Sequence, residues 1–164
     1  VLLLAYVALM ASIHVYASVE REIFSQVGLA FALIAATVLL ADYYMQFTVI
    51  PVSLRNNEAA GLPLLIQYNP HGVFIALEEL GYLVMSLSFL LMGPVFLGKG
   101  RLESAVGWIF VIGCTIAFAA LILISFVYGL ERLDRFEVVV ISTAWLVLLI
   151  NGILLSILFR RQPN

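Results

Sequence analysis

Long, uninterrupted apolar blocks dominate this chain and limit what it can fold into. Five such blocks follow one another, and a short group of charged or polar residues separates each block from the next. Each block supplies the ~20 apolar residues that a helix needs to cross the hydrocarbon core of a bilayer. We therefore predict a single transmembrane domain, an all-α integral membrane bundle of about five transmembrane helices. The predicted spans cover about 1–19, 23–52, 70–94, 104–129 and 138–159.

The composition agrees with a bilayer environment and not with a soluble core. Hydrophobic residues make up 64% of the 164 residues and charged residues only 11%, whereas roughly half and a quarter are typical of soluble domains. A soluble fold of this length leaves much of its surface in water, so it could not bury so many apolar side chains. The net charge is −2 and no lysine-arginine cluster occurs, so we expect no nucleic-acid partner.

Proline and asparagine mark the expected ends of two spans. Pro51 lacks the backbone donor that a helix interior needs, so we expect span 2 to end there. Asn69 and Pro70 combine an N-cap with a first-turn proline, so span 3 should begin there. Pro94, which follows a glycine, predicts a kink or a stop at the far end of span 3. The connection 53–69 turns from polar to apolar, which fits a short interfacial or re-entrant segment or an ordinary packed loop.

The glycines belong to no motif that would give them a chemical role. The chain has no Gly-x-Ser-x-Gly nucleophile turn and no glycine-rich phosphate loop. Small residues let membrane helices approach closely, so we predict that the glycines in or beside spans 4 and 5 pack helices together. They are Gly107, Gly113, Gly129 and Gly152. We predict no catalytic residue and no bound cofactor, and whether the protein is an enzyme stays open, with a non-enzyme favoured.

Lysine and arginine are divided unevenly between the two ends of the predicted bundle. Alternating spans place five of these residues on one side, namely Arg21, Lys99, Arg101, Arg160 and Arg161. Three fall on the other side, namely Arg55, Arg132 and Arg135. Basic loops tend to stay in the cytoplasm, so we expect a cytoplasmic C-terminus. The expected location is the cytoplasmic membrane of a bacterium or an archaeon.

Three acidic residues lie inside the predicted spans, where ionisable groups are costly and usually functional. Asp42 is ten residues from the predicted end of span 2, and Glu79 is nine residues from the predicted start of span 3. At ~1.5 Å per residue, both lie about 13–15 Å in from the same side. Neighbouring helix residues point about 100° apart. One of Glu78 and Glu79 should therefore face the bundle centre and the other a seam between helices.

Polar and aromatic side chains extend this acidic group along the same helix faces. Gln46 lies one turn from Asp42, Tyr82 lies one turn from both glutamates, and Tyr43 flanks Asp42. The predicted spans contain no lysine or arginine, so a proton, a cation or an amine has to neutralise the carboxylates. We predict a ligand- or ion-binding site formed by Asp42, Glu78, Glu79, Tyr82, Gln46 and Tyr43.

Metal chemistry based on histidine is not expected. The chain has two histidines, and His14 and His71 fall at opposite ends of the predicted bundle. They cannot share one ion, whereas histidine-based centres need several such ligands close together. We therefore predict no metal centre, although a hard cation held by carboxylate and other oxygen atoms stays an alternative.

Three functions are compatible with this pattern. In the first, an acidic, aromatic-lined cavity binds or translocates a proton, a cation or a cationic or amphipathic small molecule. In the second, the chain is an accessory or assembly subunit, in which a carboxylate faces a basic residue of a membrane-protein partner or of a second copy. In the third, it is a membrane enzyme whose carboxylate performs acid-base chemistry on a lipid-soluble substrate, which requires an opening between helices.

Overall fold

The computed structural model describes residues 2–58, 60–66 and 69–160, which are almost entirely helical and contain no strand. The helices are α1 (Leu2–Tyr16), α2 (Glu22–Arg55), α3 (Leu62–Leu65), α4 (Val73–Met92), α5 (Arg101–Tyr128) and α6 (Leu133–Arg160). Short 3₁₀ turns cover Val19–Arg21, Gly93–Val95 and Gly129–Arg132. Position 1 of predicted span 1, positions 59, 67 and 68 of the connection, and Arg161 of the charge count lie outside the described residues.

Four of the helices, α2, α4, α5 and α6, are long and apolar enough to cross a membrane. The apolar helix α1 is shorter, with 15 residues, which correspond to about 22 Å. Large apolar side chains point outward from the long helices, and Phe47 and Phe126 are 82% and 90% exposed. A helix that is apolar on all sides belongs in a bilayer. The predicted all-α membrane bundle of about five spans is confirmed.

Helix α4 lies in the middle of the bundle and packs against α2, α5 and α6. Helix α1 packs along α2, and its Tyr6 ring meets Phe89 of α4 edge-on, with 6.1 Å between the ring centroids. The helices alternate in direction, so α2 ends, α4 begins and α5 turns into α6 at the same end of the bundle. We call this end the Arg55 side and the opposite end the Arg21 side.

The predicted end of span 2 at Pro51 is wrong, because α2 continues through this residue to Arg55. A proline removes the hydrogen bond to the carbonyl group one turn earlier, here that of Phe47. Pro51 stands only four residues before the helix end, so α2 loses this bond in its last turns and not in the middle of the span. Pro94, in contrast, lies in the 3₁₀ turn that follows the end of α4 at Met92, which confirms the predicted stop.

The predicted start of span 3 is also wrong by a few residues. Helix α4 begins at Val73 with Gly72 as its N-cap residue. Asn69 stabilises the preceding turn, because its Oδ1 accepts a hydrogen bond from the backbone N–H of His71 at 3.0 Å. Its Nδ2 donates to the carbonyl oxygen of Pro63 in α3 at 2.6 Å. Asn69 therefore ties the short helix α3 to the start of α4 instead of capping α4.

Two of the four predicted packing glycines lie in tight contacts between helices. A methyl group at Gly107 of α5 would lie 2.8 Å from the carbonyl oxygen of Gly93. One at Gly113 would lie 2.4 Å from Cγ2 of Val147 on α6. The prediction is wrong for the other two, because Gly152 faces open space and Gly129 ends α5 with a positive φ of 56°.

Candidate ligand-binding site

Three acidic side chains from three helices meet in the half of the bundle near the Arg55 side. Asp42 of α2 is fully buried, and it is close enough to Glu78 of α4 for the two charges to interact. Glu137 of α6 lies within hydrogen-bonding range of the Glu78 carboxyl group. We call Asp42, Glu78 and Glu137 the acidic cluster. A hydrogen bond between two carboxyl groups requires a proton on one of them.

Asp42 keeps one free acceptor inside this cluster. Gln46, one turn along α2, donates a hydrogen bond from Nε2 to Asp42 Oδ2 at 3.1 Å, as the four-residue spacing predicts. The other oxygen, Oδ1, is buried and has no hydrogen-bond partner within the described part of the chain. An unsatisfied buried acceptor costs about 1–3 kcal/mol, so this atom favours an incoming donor.

Glu79 points away from the cluster and forms an ion pair with Arg132 in the turn between α5 and α6. The expectation that no basic residue reaches the predicted site is therefore wrong for Glu79. The Arg132 side chain is 25% exposed and that of Glu79 is 8% exposed. The side chain of Arg132 extends from the turn into the bundle, where it lies 5.9 Å from the centroid of the Phe136 ring. Of the two adjacent glutamates, it is Glu78 that lies beside Asp42.

Arg132 and Glu137 are charged site residues that were not among the six predicted from the sequence. Arg132 was counted as a loop residue, and Glu137 stood one residue before the predicted start of span 5 at 138. Helix α6 in fact begins at Leu133, so Glu137 lies in its second turn. Carboxylates are favoured in the first turn of a helix. Asp134 and Glu137 precede the apolar run, and this pattern could have indicated that the helix begins before residue 138.

Two tyrosine hydroxyl groups connect the cluster to a tryptophan. The hydroxyl oxygens of Tyr43 on α2 and Tyr82 on α4 are 3.3 Å apart. The Tyr43 side chain is also close enough to Glu78 to interact with it, and the Tyr82 side chain interacts with Trp145 on α6. The polar network therefore runs across α2, α4 and α6 and joins residues that are up to 103 positions apart, from Asp42 to Trp145, within one site.

A groove of about 1000 Å³ lies beside this network, between α2 and α6 and next to the start of α1. Tyr43, Tyr82 and Trp145 contribute to its wall, together with apolar residues such as Leu3, Leu40 and Ile141. Tyr43 thus contacts both the groove and the acidic cluster. A second cavity of about 400 Å³ lies between α1 and α6, and Trp145 borders it as well.

The two histidines lie at opposite ends of the bundle, as predicted. His14 is hydrogen-bonded through Nδ1 to Ser25 Oγ at 2.8 Å, near the Arg21 side. His71 lies on the Arg55 side, with its Nε2 4.0 Å from Oε2 of Glu131. Within residues 2–58, 60–66 and 69–160, no group of three histidine, cysteine, aspartate or glutamate residues is placed to hold a metal ion.

The fold and the site together define a class: a helical integral membrane protein with an acidic network buried among its spans. No protein-family model, no curated protein and no solved structure matches the chain. Fold alone does not determine activity, so the chemistry of the site itself has to support any function.

Proposed function

We propose that this protein binds a positively charged group at the acidic cluster, and that the physiological ligand is a small organic cation. The observation that carries the proposal is the imbalance of charge around Asp42, Glu78 and Glu137. Arg132 is paired with Glu79, and no ion pair to any cluster residue occurs among the described residues. A cationic ligand offsets this excess of negative charge.

The energetic argument rests on the burial of Asp42 and Glu78. Two like charges about 4 Å apart repel each other by about 4 kcal/mol at the effective dielectric constant of 20 that suits protein sites. A buried carboxylate without a partner also loses several kcal/mol of hydration. A protonated amine relieves both costs, and its N–H groups match the free acceptor on Asp42 Oδ1.

Binding of octylamine to the purified protein in nanodiscs tests this proposal, with empty nanodiscs subtracted and octanol as the neutral analogue. We expect octylamine to bind, and Glu78→Gln to weaken binding by about tenfold or more, because the neutral amide removes a charge-assisted hydrogen bond. The matched control is Glu20→Gln, since Glu20 is exposed at the opposite end of the bundle. Equal binding by the two variants would contradict the proposal.

A membrane enzyme that performs acid-base chemistry on a lipid-soluble substrate is the second candidate. The groove supports it, because Tyr43 contacts both the groove and the Glu78 carboxyl group, and such a position suits proton transfer. Incubation of the protein with bilayer lipids in D₂O tests this function. The enzyme hypothesis predicts deuterium in the lipid extract that is lost in Glu78→Gln, as measured by mass spectrometry.

The accessory-subunit hypothesis required a carboxylate that faces a partner's basic residue at the lipid-facing surface. Asp42, Glu78 and Glu79 are instead buried within this chain, at 0%, 4% and 6% exposure. These three residues therefore do not support that hypothesis, which stays a prediction. The native mass of the detergent-solubilised particle tests it directly.

A further inference from the structure

The groove between α2 and α6 opens toward the lipid-facing surface of the bundle. Its outer wall includes Leu40, Tyr44 and Phe47 of α2, which are 40%, 69% and 82% exposed. Its volume of about 1000 Å³ is at the upper end of the roughly 300–1000 Å³ that is usual for small-molecule sites. A molecule dissolved in the bilayer therefore reaches the groove without passing through water.

Polar and apolar atoms are distributed unevenly along this groove. Tyr43 and Tyr82 contribute hydroxyl groups to the groove, and the Tyr43 side chain interacts with Glu78 of the acidic cluster. Beyond Trp145, the smaller cavity between α1 and α6 is lined by apolar side chains such as Leu9 and Leu148 and by Tyr6. A charged headgroup is therefore favoured at one end and a hydrocarbon tail at the other.

We infer that the ligand is an amphipathic amine that enters sideways from the bilayer, with its ammonium group at the acidic cluster and its tail in the groove beside Trp145. This inference rests on the proposed function, because the cluster supplies the charge that complements the ammonium group. The apolar groove indicates in addition that the ligand has a hydrocarbon tail and that it enters from the bilayer. Tyr43 is a positioning residue, since its side chain lines the groove and also interacts with Glu78.

Photolabelling locates the tail directly. The probe is an eight-carbon primary amine with a diazirine at the end of its chain, added to the full-length protein in nanodiscs. We expect crosslinks in the peptides that carry 40–47 and 141–145, which contain groove residues. Crosslinks confined to α5, which lines neither the groove nor the cavity beside α1, with labelling still dependent on Glu78, would overturn the inference and leave the proposed function intact. Labelling that is the same in Glu78→Gln would contradict the proposed function itself.

A matched pair of alanine substitutions tests the groove as the route. Ala41 is exposed and lines the groove, whereas Ala30 is exposed on the same helix, 11 residues closer to the Arg21 side. We expect Ala41→Trp to reduce labelling and octylamine binding by about tenfold, because the indole ring fills the groove, and Ala30→Trp to change neither. Equal behaviour of the two variants would overturn the inference.

A second matched pair keeps the inference testable if Ala41→Trp does not fold. Tyr43→Phe removes only the hydroxyl group that interacts with Tyr82 and Glu78, and Tyr128→Phe removes one from an exposed side chain on α5 that lines neither cavity. We expect about five- to tenfold weaker octylamine binding for Tyr43→Phe and unchanged binding for Tyr128→Phe. Unchanged binding in both variants, at unchanged thermal stability, would contradict the role assigned to Tyr43.

Discussion

Glu78 and Glu79 are adjacent in the chain, but their side chains have different surroundings. Glu78 faces Asp42 and Glu137, while Glu79 is paired with Arg132. The helical rotation of about 100° per residue separates their directions. The charge of Glu79 is therefore compensated by Arg132, whereas Glu78 has no ion-pair partner among the described residues. Glu79 thus has a structural role, and the ligand-binding proposal concerns Glu78.

The Glu79–Arg132 pair should stabilise the fold. Removing one partner of a buried ion pair costs about 3–5 kcal/mol, and Arg132 is partly exposed. We therefore expect Arg132→Leu to lower the free energy of unfolding by about 2 kcal/mol in mixed micelles. Arg135→Leu is the control, because Arg135 is exposed and stacks over the Tyr128 ring at 4.4 Å, which is worth less than about 1 kcal/mol.

The double variant Glu79→Leu/Arg132→Leu separates the ion pair from the other contacts of Arg132. Two apolar side chains leave no unpaired buried charge, so most of the lost stability should return. If the double variant is as unstable as Arg132→Leu alone, the unpaired carboxylate of Glu79 is not the cause of the loss.

Close helix approach at glycines determines how tightly the elements of the bundle pack. At Gly107 the backbone of α5 lies against the backbone of the Gly93–Val95 turn, because a methyl group would lie 2.8 Å from the Gly93 carbonyl oxygen. Backbone atoms move less easily than the end of a side chain. This contact therefore controls the position of α5 against the end of α4 more strictly than the contact of Gly113 with a valine side chain.

Gly107→Ala should consequently lower stability and Gly152→Ala should not. We expect Gly107→Ala to lower the free energy of unfolding by about 1–3 kcal/mol through overpacking. A methyl group at Gly152 of α6 would meet no atom within 4 Å among the described residues, so alanine there should add about 0.4–1 kcal/mol. Reversible unfolding in mixed micelles measures both effects, and a Gly107→Ala protein as stable as the original would show that α5 shifts without cost.

At the scale of the whole molecule, the acidic cluster lies in the half of the bundle near the Arg55 side. The uneven distribution of lysine and arginine predicts that the opposite side, with Arg21 and Arg160, faces the cytoplasm. The cluster then lies nearer the outer surface. The orientation stays a prediction, because the structure contains no membrane.

Cysteine labelling on intact cells tests this orientation. The lone Cys114 is buried, so Cys114→Ala provides a cysteine-free background. We then expect an impermeant maleimide to label Glu58→Cys on the Arg55 side, and to label Glu20→Cys on the Arg21 side only after the cells are permeabilised. Both positions are exposed. The reverse pattern would show that the C-terminal end of α6 lies outside.

The helical membrane fold, the approximate spans and the position of Asp42, Glu78 and Glu79 within spans could be predicted from the sequence alone. These properties follow from the length of the apolar blocks and from the spacing of residues along one helix, as the bond between Gln46 and Asp42 illustrates. These properties are local, because the length of an apolar block and the spacing along one helix do not depend on how the helices face each other.

Which carboxylates meet depends on how the helices pack against each other. Glu78 and not Glu79 joins Asp42, and Glu137 completes the cluster, because the rotation of α4 and α6 about their axes depends on packing against all their neighbours. The partner of Glu79 was likewise decided by the turn between α5 and α6, which directs the long side chain of Arg132 into the bundle. Distances between residues 53 positions apart are set by this packing and not by the local pattern.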